Sequence, residues 1–276
     1  NKKKKKKTFI AFKNAYHGDT VGAMSLSSGS ELFSVFKELF FKIKLFNYPS
    51  TWYGDREIDE KENLILNKIE NEFKRNKDIA GLIIEPLIQG SGGMNICRKE
   101  FMKKLSNIVK KYNNLLIYDE VMTGFGRTGE IFACKKIKSE PDIICLSKGL
   151  TGGFLPLSLT VTTNKIYNSF LGHDFDKALA HGHSFTANPL GCAASIASLN
   201  LFESKKVLKN IKFIEKEHYS FSKKLLKLSF IEKIRICGTV LAFEVKGFGA
   251  GYKAVLPNKI KKFFLKKGLL LRPLGN

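Results

Sequence analysis

This 276-residue sequence lacks long apolar runs. No stretch approaches the ~18 consecutive apolar residues that a membrane-spanning helix needs. The apolar segment Thr8–Phe12, which follows the basic run Lys2–Lys7, is too short for the hydrophobic part of a signal peptide. The five cysteines are scattered, without a C-x-x-C pair that would indicate a metal or redox site. We therefore expect a cytoplasmic protein with no membrane segment, in a compartment that keeps thiols reduced.

Acidic residues are also few: 25 Asp and Glu stand against 47 Lys and Arg, which gives a formal net charge of +22. Such a balance raises the possibility of nucleic-acid binding. The lysines are, however, spread over the whole chain on the polar faces of predicted helices, and isoleucine, asparagine and phenylalanine are abundant too. This pattern indicates a compositional bias, so we expect no nucleic-acid partner.

Short and continuously apolar segments are typical of strands that are covered on both faces. Five such segments are Thr8–Phe12, Gly81–Pro86, Leu115–Glu120, Asp142–Lys148 and Ser158–Thr163. Helical patterns lie between or after them, at Ile58–Asn76, Arg98–Asn113 and Asn188–Ser204. The last pattern is nearly all small or apolar, which predicts a buried helix. The alternation of strands and helices predicts an α/β fold with a mostly parallel central sheet flanked by helices.

The character of the sequence changes near residue 205. A long amphipathic helix to Leu228 is followed by a predicted strand at Ile234–Val245, a helix at Asn258–Lys267 and a strand at Gly268–Pro273. We predict a large domain over residues 1–204 and part of a smaller α+β domain over residues 205–276.

The segment Gly124–Gly129, GFGRTG, matches the glycine fingerprint of dinucleotide-binding proteins. In that fingerprint the glycines lie directly between a strand and a helix, so that a pyrophosphate meets helix N–H groups. Here Asp119 and Glu120 end the predicted strand several residues earlier, and their carboxylates would repel a pyrophosphate. We therefore expect no dinucleotide site.

Charged residues stand at the carboxyl ends of three predicted strands: Glu85, Asp119 and Lys148. Open α/β sheets bind their ligands at this edge. Lys148 could reach solvent past the strand end, or it could be a desolvated amine that attacks a carbonyl. A lysine nucleophile together with an aspartate is the protein half of a pyridoxal phosphate site, in which the aspartate keeps the pyridine nitrogen protonated.

Two polar segments could complete such a site. Tyr16, in YHGDT after the first strand, could stack on a pyridine ring, whereas the neighbouring His17 could equally be a packed or capping residue and is assigned no role. His181–Pro189, HGHSFTANP, is turn-rich and precedes a helix, which suits a phosphate. Its two histidines have no further ligand at a suitable spacing, so a metal site is not expected.

Six motifs in this order resemble the class III pyridoxal phosphate aminotransferases: YHGDTVGAMS, EPLIQGSGGM, YDEVMTGFGRTG, PDIICLSKGLTGG, HGHSFTANPLGCAA and GLLLRPLGN. Within the class, YHGDT with GAMS and the closing RPLGN are similar to the enzymes that transfer the amino group of S-adenosylmethionine to 8-amino-7-oxononanoate in biotin synthesis. The resemblance implies a fold-type I transferase, a pyridoxal 5'-phosphate cofactor, and a homodimer with its site at the subunit interface. Another class III ω-aminotransferase, or an inactive fragment, is the alternative.

The resemblance also assigns roles at the cofactor. Lys148 would be the Schiff-base lysine and proton shuttle, and Asp119 the partner of the pyridinium nitrogen. Tyr16 would pack at the cofactor and line the substrate pocket. Glu85 would belong to the network at the strand ends, and Val121 would lie against the ring.

Further roles concern the substrates and the neighbouring subunit. Asp19 would lie near the amino donor, and Arg127 would line the pocket. Arg272 would pair with the carboxylate of the keto acid, a task suited to a planar guanidinium. Three residues of one turn would reach the cofactor of the neighbouring subunit, with the Ser184 hydroxyl on its phosphate: Gly182, His183 and Ser184.

Relatives of this family begin well upstream of the YHGDT motif, where a glycine-serine phosphate cup is expected. This sequence instead opens with NKKKKKK and stops at RPLGN. We therefore expect an internal fragment, with the activity belonging to the full-length protein. At His183 and Ser184 the family more often has proline or another small residue followed by threonine, and Ser184 keeps the hydroxyl.

Overall fold

The computed structural model describes residues 6–173, 175–204, 206–247 and 256–270. Within these residues a central sheet has the strand order β2-β1-β3-β6-β7-β8. Its strands are β1 (Thr8–Phe12), β2 (Lys44–Phe46), β3 (Ile79–Ile84), β6 (Leu115–Asp119), β7 (Ile143–Leu146) and β8 (Leu159–Thr162). Two hairpins lie outside it: β4 (Ile88–Gln89) with β5 (Asn95–Ile96), and β9 (Ile231–Cys237) with β10 (Val240–Val245).

The helices are α1 (Val21–Leu26), α2 (Ile58–Arg75), α3 (Lys99–Lys111), α4 (Ala133–Ile137), α5 (Asn164–Tyr167), α6 (Pro189–Glu203), α7 (Lys206–Leu225) and α8 (Leu256–Lys266). Short 3₁₀ segments occur at Glu31–Leu39, Lys148–Thr151, Asn168–Phe170 and Phe175–Lys177. Strands β2, β1, β3, β6 and β7 pair in parallel, which confirms the mostly parallel sheet, although β2 was not among the predicted strands. Among the described residues, no helix is long and apolar enough to cross a membrane.

Helices α2 and α3 pack together and contribute to the apolar core beside the sheet. The helix predicted at Arg98–Asn113 forms α3, and its side chains Phe101, Met102 and Leu105 are fully buried. At the start of α3, Arg98 reaches the buried carboxylate of Glu62 on α2, with Nε 2.9 Å from Oε1 and Nη2 2.7 Å from Oε2. This forked pair compensates the burial of a charge and holds the two helices together.

For three predicted elements, the expected burial or the expected bounds were wrong. The predicted strand Ser158–Thr163 forms β8, but β8 pairs antiparallel to β7 at the sheet edge and is largely exposed. The predicted buried helix Asn188–Ser204 forms α6, yet only its small residues Gly191, Ser195 and Ser198 are buried. The predicted strand Ile234–Val245 is a hairpin, because Gly238, with φ +57°, turns the chain between β9 and β10. An apolar pattern does not show which face of an element meets the rest of the protein.

The end of the chain is described only in part. Helix α8 confirms the predicted helix Asn258–Lys267 with a small shift of its bounds. Of the predicted strand Gly268–Pro273, residues 268–270 lie outside any strand, and the remainder lies outside the described residues. The division into domains at residues 204 and 205 stays a prediction.

Candidate active site

Four neighbouring strands bring four of the predicted site residues to one edge of the sheet. Strands β1, β3, β6 and β7 are adjacent and parallel, so their carboxyl ends meet at the same edge. The residues at or just after these ends are Tyr16, Glu85, Asp119 and Lys148. This arrangement is the one that places ligand-binding residues together in open α/β sheets.

Asp119, the last residue of β6, is buried and held by two hydrogen bonds. Its Oδ2 lies 2.7 Å from Nδ1 of His17, and its Oδ1 accepts the backbone N–H of Val121 at 3.1 Å. The N–H of His17 donates to Oγ of Ser27 at 2.9 Å, which fixes the histidine backbone to α1. The carboxylate is thus oriented from both sides, and Val121, predicted to lie against a cofactor ring, contributes its backbone here.

His17 is the site residue that the sequence interpretation left without a role. A histidine beside a tyrosine in a loop is equally compatible with simple packing, so the local pattern carried no decisive signal. The partner that reveals its function in the site, Asp119, is 102 residues away in the sequence. The Nε2 atom of His17 is buried and has no hydrogen-bond partner among the described residues.

Glu85 follows β3 and is only 5% exposed. Its Oε1 accepts the N–H of Tyr16 at 3.1 Å, and its Oε2 accepts the N–H of Gly90 at 2.9 Å. Burial raises the pKa of Glu85 to about 7, and the nearby Asp119 raises it further, while His17 and the two backbone N–H groups act in the opposite direction. The carboxylate therefore titrates near neutral pH.

The loop that carries Tyr16 connects β1 to α1. The Tyr16 hydroxyl donates to Oδ1 of Asp19 at 3.0 Å, and its ring stacks on Phe33 with the ring centroids 5.9 Å apart. Thr20 begins the helix, because its side chain accepts the N–H of Ala23. Tyr16 and Asp19, predicted to serve the pocket and the amino donor, thus lie together at the sheet edge.

Lys148 lies two residues after the end of β7, at the start of a 3₁₀ segment, and it is exposed. Its φ of +47° is in the left-handed region, which costs of order 1 kcal/mol for a residue other than glycine. The next residue must be small, because a Cβ on Gly149 would lie 2.6 Å from Cβ of Phe125. The backbone is therefore held in an unfavourable conformation at the residue that sequence reasoning singled out.

Glu120, beside Asp119 in the sequence, has a structural function. Its two carboxylate oxygens accept the N–H groups of Ala133 and Cys134, at 2.6 Å and 2.8 Å, and so cap the start of α4. Burial raises the pKa of Glu120, and these two N–H groups offset part of that rise. The two adjacent carboxylates thus face different surroundings.

The GFGRTG segment is a packing site. A Cβ on Gly126 would lie 2.2 Å from Cδ1 of Ile211 on α7, so glycine is needed for the close approach of this helix. Arg127, predicted to line the pocket, is exposed and donates from Nη1 to Oγ1 of Thr239 at 3.3 Å, at the β9–β10 turn. No described hydrogen bond joins Arg127 to Asp119.

No described hydrogen bond joins the HGHSF turn to Glu85, Asp119 or Lys148. Gly182, His183 and Ser184 are exposed, and the turn is held by its own bonds, including the N–H of His183 to Oγ1 of Thr186 at 2.9 Å. Arg272, predicted to bind a carboxylate, lies outside the described residues. Within the described ranges, no group of three or more His, Cys, Asp or Glu residues could hold a metal ion.

Comparison with known proteins gives consistent results. The family model for class-III aminotransferases matches residues 1–276. The chain is 44% identical over 267 residues to the adenosylmethionine-8-amino-7-oxononanoate aminotransferase of Synechococcus elongatus, and 37% identical over 281 residues to that of Helicobacter pylori. The matches cover 97% and 100% of this chain, which spans 62% of the length of each relative.

Solved structures confirm the predicted fold class. The adenosylmethionine-8-amino-7-oxononanoate aminotransferase of Methanocaldococcus jannaschii is similar with a TM-score of 0.83 and 36% identity, over 99% of this chain and 62% of that one. An amine transaminase from an uncultivated Pseudomonas species, in its PLP-bound form, is similar with a TM-score of 0.88 and 26% identity, over 98% of this chain and 63% of that one.

Proposed function

Because this chain belongs to the class III aminotransferase family, we propose that the whole protein is a pyridoxal phosphate-dependent transaminase. We further propose that it transfers the amino group of S-adenosylmethionine to 8-amino-7-oxononanoate, giving 7,8-diaminononanoate in biotin biosynthesis. The observation that carries the proposal is the adjacency of four strand ends bearing Tyr16, Glu85, Asp119 and Lys148. The names of the relatives support the choice of substrates.

The residues at the sheet edge fit the cofactor. A carboxylate can accept about four hydrogen bonds, and Asp119 has two described ones, so it retains capacity for the N–H of a pyridinium ring. Lys148, exposed at the next strand end, offers an amine at the same edge. Pyridoxal phosphate, when bound, supplies a ring that withdraws electrons from the substrate carbon bearing the amino group.

Each residue at the sheet edge would then have a distinct role. Asp119 would keep the ring nitrogen protonated, and His17 would hold the carboxylate of Asp119 in place. Lys148 would hold the cofactor and move a proton to and from the Cα of the amino donor through Nζ. The Tyr16 ring would pack at the cofactor, and the exposed carboxylate of Asp19 would favour a positively charged amino donor such as S-adenosylmethionine.

A homodimer is part of the proposal. Large apolar side chains are exposed in the region that contains the HGHSF turn: Phe154, Phe175 and Phe185 are 89%, 81% and 73% exposed. Covering such exposed apolar side chains with a partner removes them from water, which favours association. A second copy covering this region would bring Ser184 toward the partner's cofactor, where its hydroxyl would bind the phosphate. A cytoplasmic location agrees with the five cysteines, which are all free.

Lys148→Ala tests the proposal in the intact protein. We expect the loss of both the visible absorbance of the lysine-bound cofactor and the transamination of 8-amino-7-oxononanoate. The matched control is Lys138→Ala, since Lys138 is also exposed and also left-handed, with φ +57°. A Lys148→Ala protein that kept both colour and activity would refute the enzyme assignment. Preference for lysine or an ordinary ω-amino acid over S-adenosylmethionine would place the protein in a sister group of the same class.

A further inference from the structure

The segment that follows β3 is hydrogen-bonded to, and packed against, the loop that carries Tyr16. Glu85 accepts the N–H of Tyr16 at 3.1 Å, and Gln89 donates from Nε2 to the carbonyl of Lys13 at 2.9 Å. Gly92 passes so close that a Cβ there would lie 2.7 Å from the carbonyl oxygen of Asn14. Three successive contacts thus join residues 85–92 to residues 13–16, about 70 positions earlier in the chain.

Unlike Gln89 and Gly92, Glu85 has an ionisable side chain, and this side chain bonds to the backbone of two segments. Its second oxygen accepts the N–H of Gly90 at 2.9 Å, so one carboxylate fastens both the Tyr16 loop and the turn before β5. A protonated carboxyl must donate from one oxygen, and neither N–H group can accept that hydrogen. Only the ionised form therefore makes both bonds well.

We propose that Glu85 is a positioning residue whose ionised carboxylate holds the Tyr16–His17 segment at the sheet edge, and whose protonation loosens that segment. The proposal deepens the proposed function and rests on it for its kinetic consequence, but its structural part concerns this chain alone. By holding Tyr16 by its backbone, Glu85 also sets the position of the adjacent His17, which is bonded to Asp119.

The surroundings of Glu85 place this loosening near neutral pH. Burial raises its pKa to about 7. The titratable groups that face it are His17 from the loop after β1, Asp119 from the end of β6, and the buried phenol of Tyr48 after β2. The two backbone N–H groups lower this pKa, so their loss, with the carboxyl still buried, would raise it above 7. Protonation therefore favours a segment that has lost these two bonds, and the segment is held more firmly as the pH rises through about 7.

Hydrogen exchange at the amides of Tyr16 and Gly90 tests the proposal in the intact, cofactor-free protein, with single-residue resolution. After correction for intrinsic rates, we expect protection of both amides to rise at least severalfold between pH 6 and pH 8. Glu85→Gln keeps one acceptor oxygen and turns an amide N–H₂ toward the other N–H group. We expect this variant to exchange at least one of the two amides about tenfold faster at pH 8, with no step near pH 7.

Glu120→Gln is the matched control, because Glu120 is also buried and also accepts two backbone N–H groups. We expect it to leave the Tyr16 and Gly90 amides unchanged. Equal protection of both amides in wild type and Glu85→Gln at pH 8, or a flat pH profile in the wild type, would overturn the proposal. These measurements need no substrate, so they stand apart from the Lys148→Ala test of the enzyme assignment.

The kinetic consequence is read in the holoenzyme. We expect Glu85→Gln to lower kcat more than it raises KM and to remove a limb near pH 7 from the pH profile, while Glu120→Gln keeps that limb. A retained limb in Glu85→Gln would show that another group governs the pH profile and would overturn the kinetic part.

Discussion

Replacing Gly238 by alanine should destabilise the protein through a steric clash at one point. Gly238 turns the chain between β9 and β10, and a Cβ there would lie 2.3 Å from the backbone N of Gly129 and from the carbonyl carbon of Thr128. It would also lie 2.5 Å from the carbonyl oxygen of Arg127. These neighbours are backbone atoms, which cannot rotate away, so the whole turn must move.

Two terms contribute to the magnitude. Alanine at the left-handed φ of +57° costs about 1–2 kcal/mol, and forced overpacking typically adds about 1–3 kcal/mol. A shift of the turn would also weaken the bonds from the Gly238 N–H to Glu215 and from the Thr239 N–H to the Arg127 carbonyl, both at 3.0 Å. We therefore expect a total loss of about 2–5 kcal/mol in the free energy of unfolding.

The assay is thermal unfolding of the intact protein at fixed concentration, with Gly247→Ala as the matched control. Gly247, just after β10, has φ +81°, and no atom of the described residues lies within 4 Å of a Cβ placed there. Alanine at this position therefore adds the cost of the left-handed backbone without a clash against those residues. We expect Gly238→Ala to lower the unfolding temperature by several degrees more than Gly247→Ala. Equal shifts for the two variants would refute the steric argument.

Two further substitutions test the core and the site. Glu62→Gln should lower the free energy of unfolding by about 1–3 kcal/mol, as measured by urea unfolding. This is less than the ~3–5 kcal/mol for breaking a fully buried pair, because the side chain of its partner Arg98 is 32% exposed. Asp59→Asn, which removes the charge of the exposed second partner of Arg98, should change the free energy of unfolding little. His17→Phe keeps a ring but removes the bond to Asp119, and should weaken cofactor binding about tenfold or more. His17→Asn, whose amide nitrogen can replace Nδ1, should recover part of that loss in a fluorescence titration, and equal affinities for the two His17 variants would contradict the role of the bond.

Local pattern was sufficient for the elements and for the chemistry at their ends. The runs TFIAF, GLIIEP, LLIYDE and DIICLSK become β1, β3, β6 and β7, because continuous apolar segments of this length are stable when both faces are covered. Since these strands are parallel, a charged residue at the end of each one must fall at the same edge. Lys148, Asp119 and Glu85 were accessible to sequence reasoning for this reason.

Contacts between distant residues were not accessible in that way. The bond of His17 to Asp119 spans 102 positions, and that of Tyr16 to Glu85 spans 69. Nothing in YHGDT distinguishes a packed histidine from one that orients a carboxylate, because the distinction depends on strand order. The bond of Arg127 to Thr239 at the β9–β10 turn is a further example, since it spans 112 positions, and the predicted place of Arg127 in a substrate pocket stays a prediction.

The amino-acid order alone specified the parallel strands, the lysine and carboxylates at their ends, and the motifs shared with the class III aminotransferases, since each depends on residues close together in the chain. Strand order, the burial of Glu85 and the need for glycine at position 238 came from the folded arrangement. Burial and close approach are properties of pairs of segments. The pKa of Glu85 near 7 follows from those pairs, because desolvation depends on what covers a carboxylate and not on its neighbours in sequence.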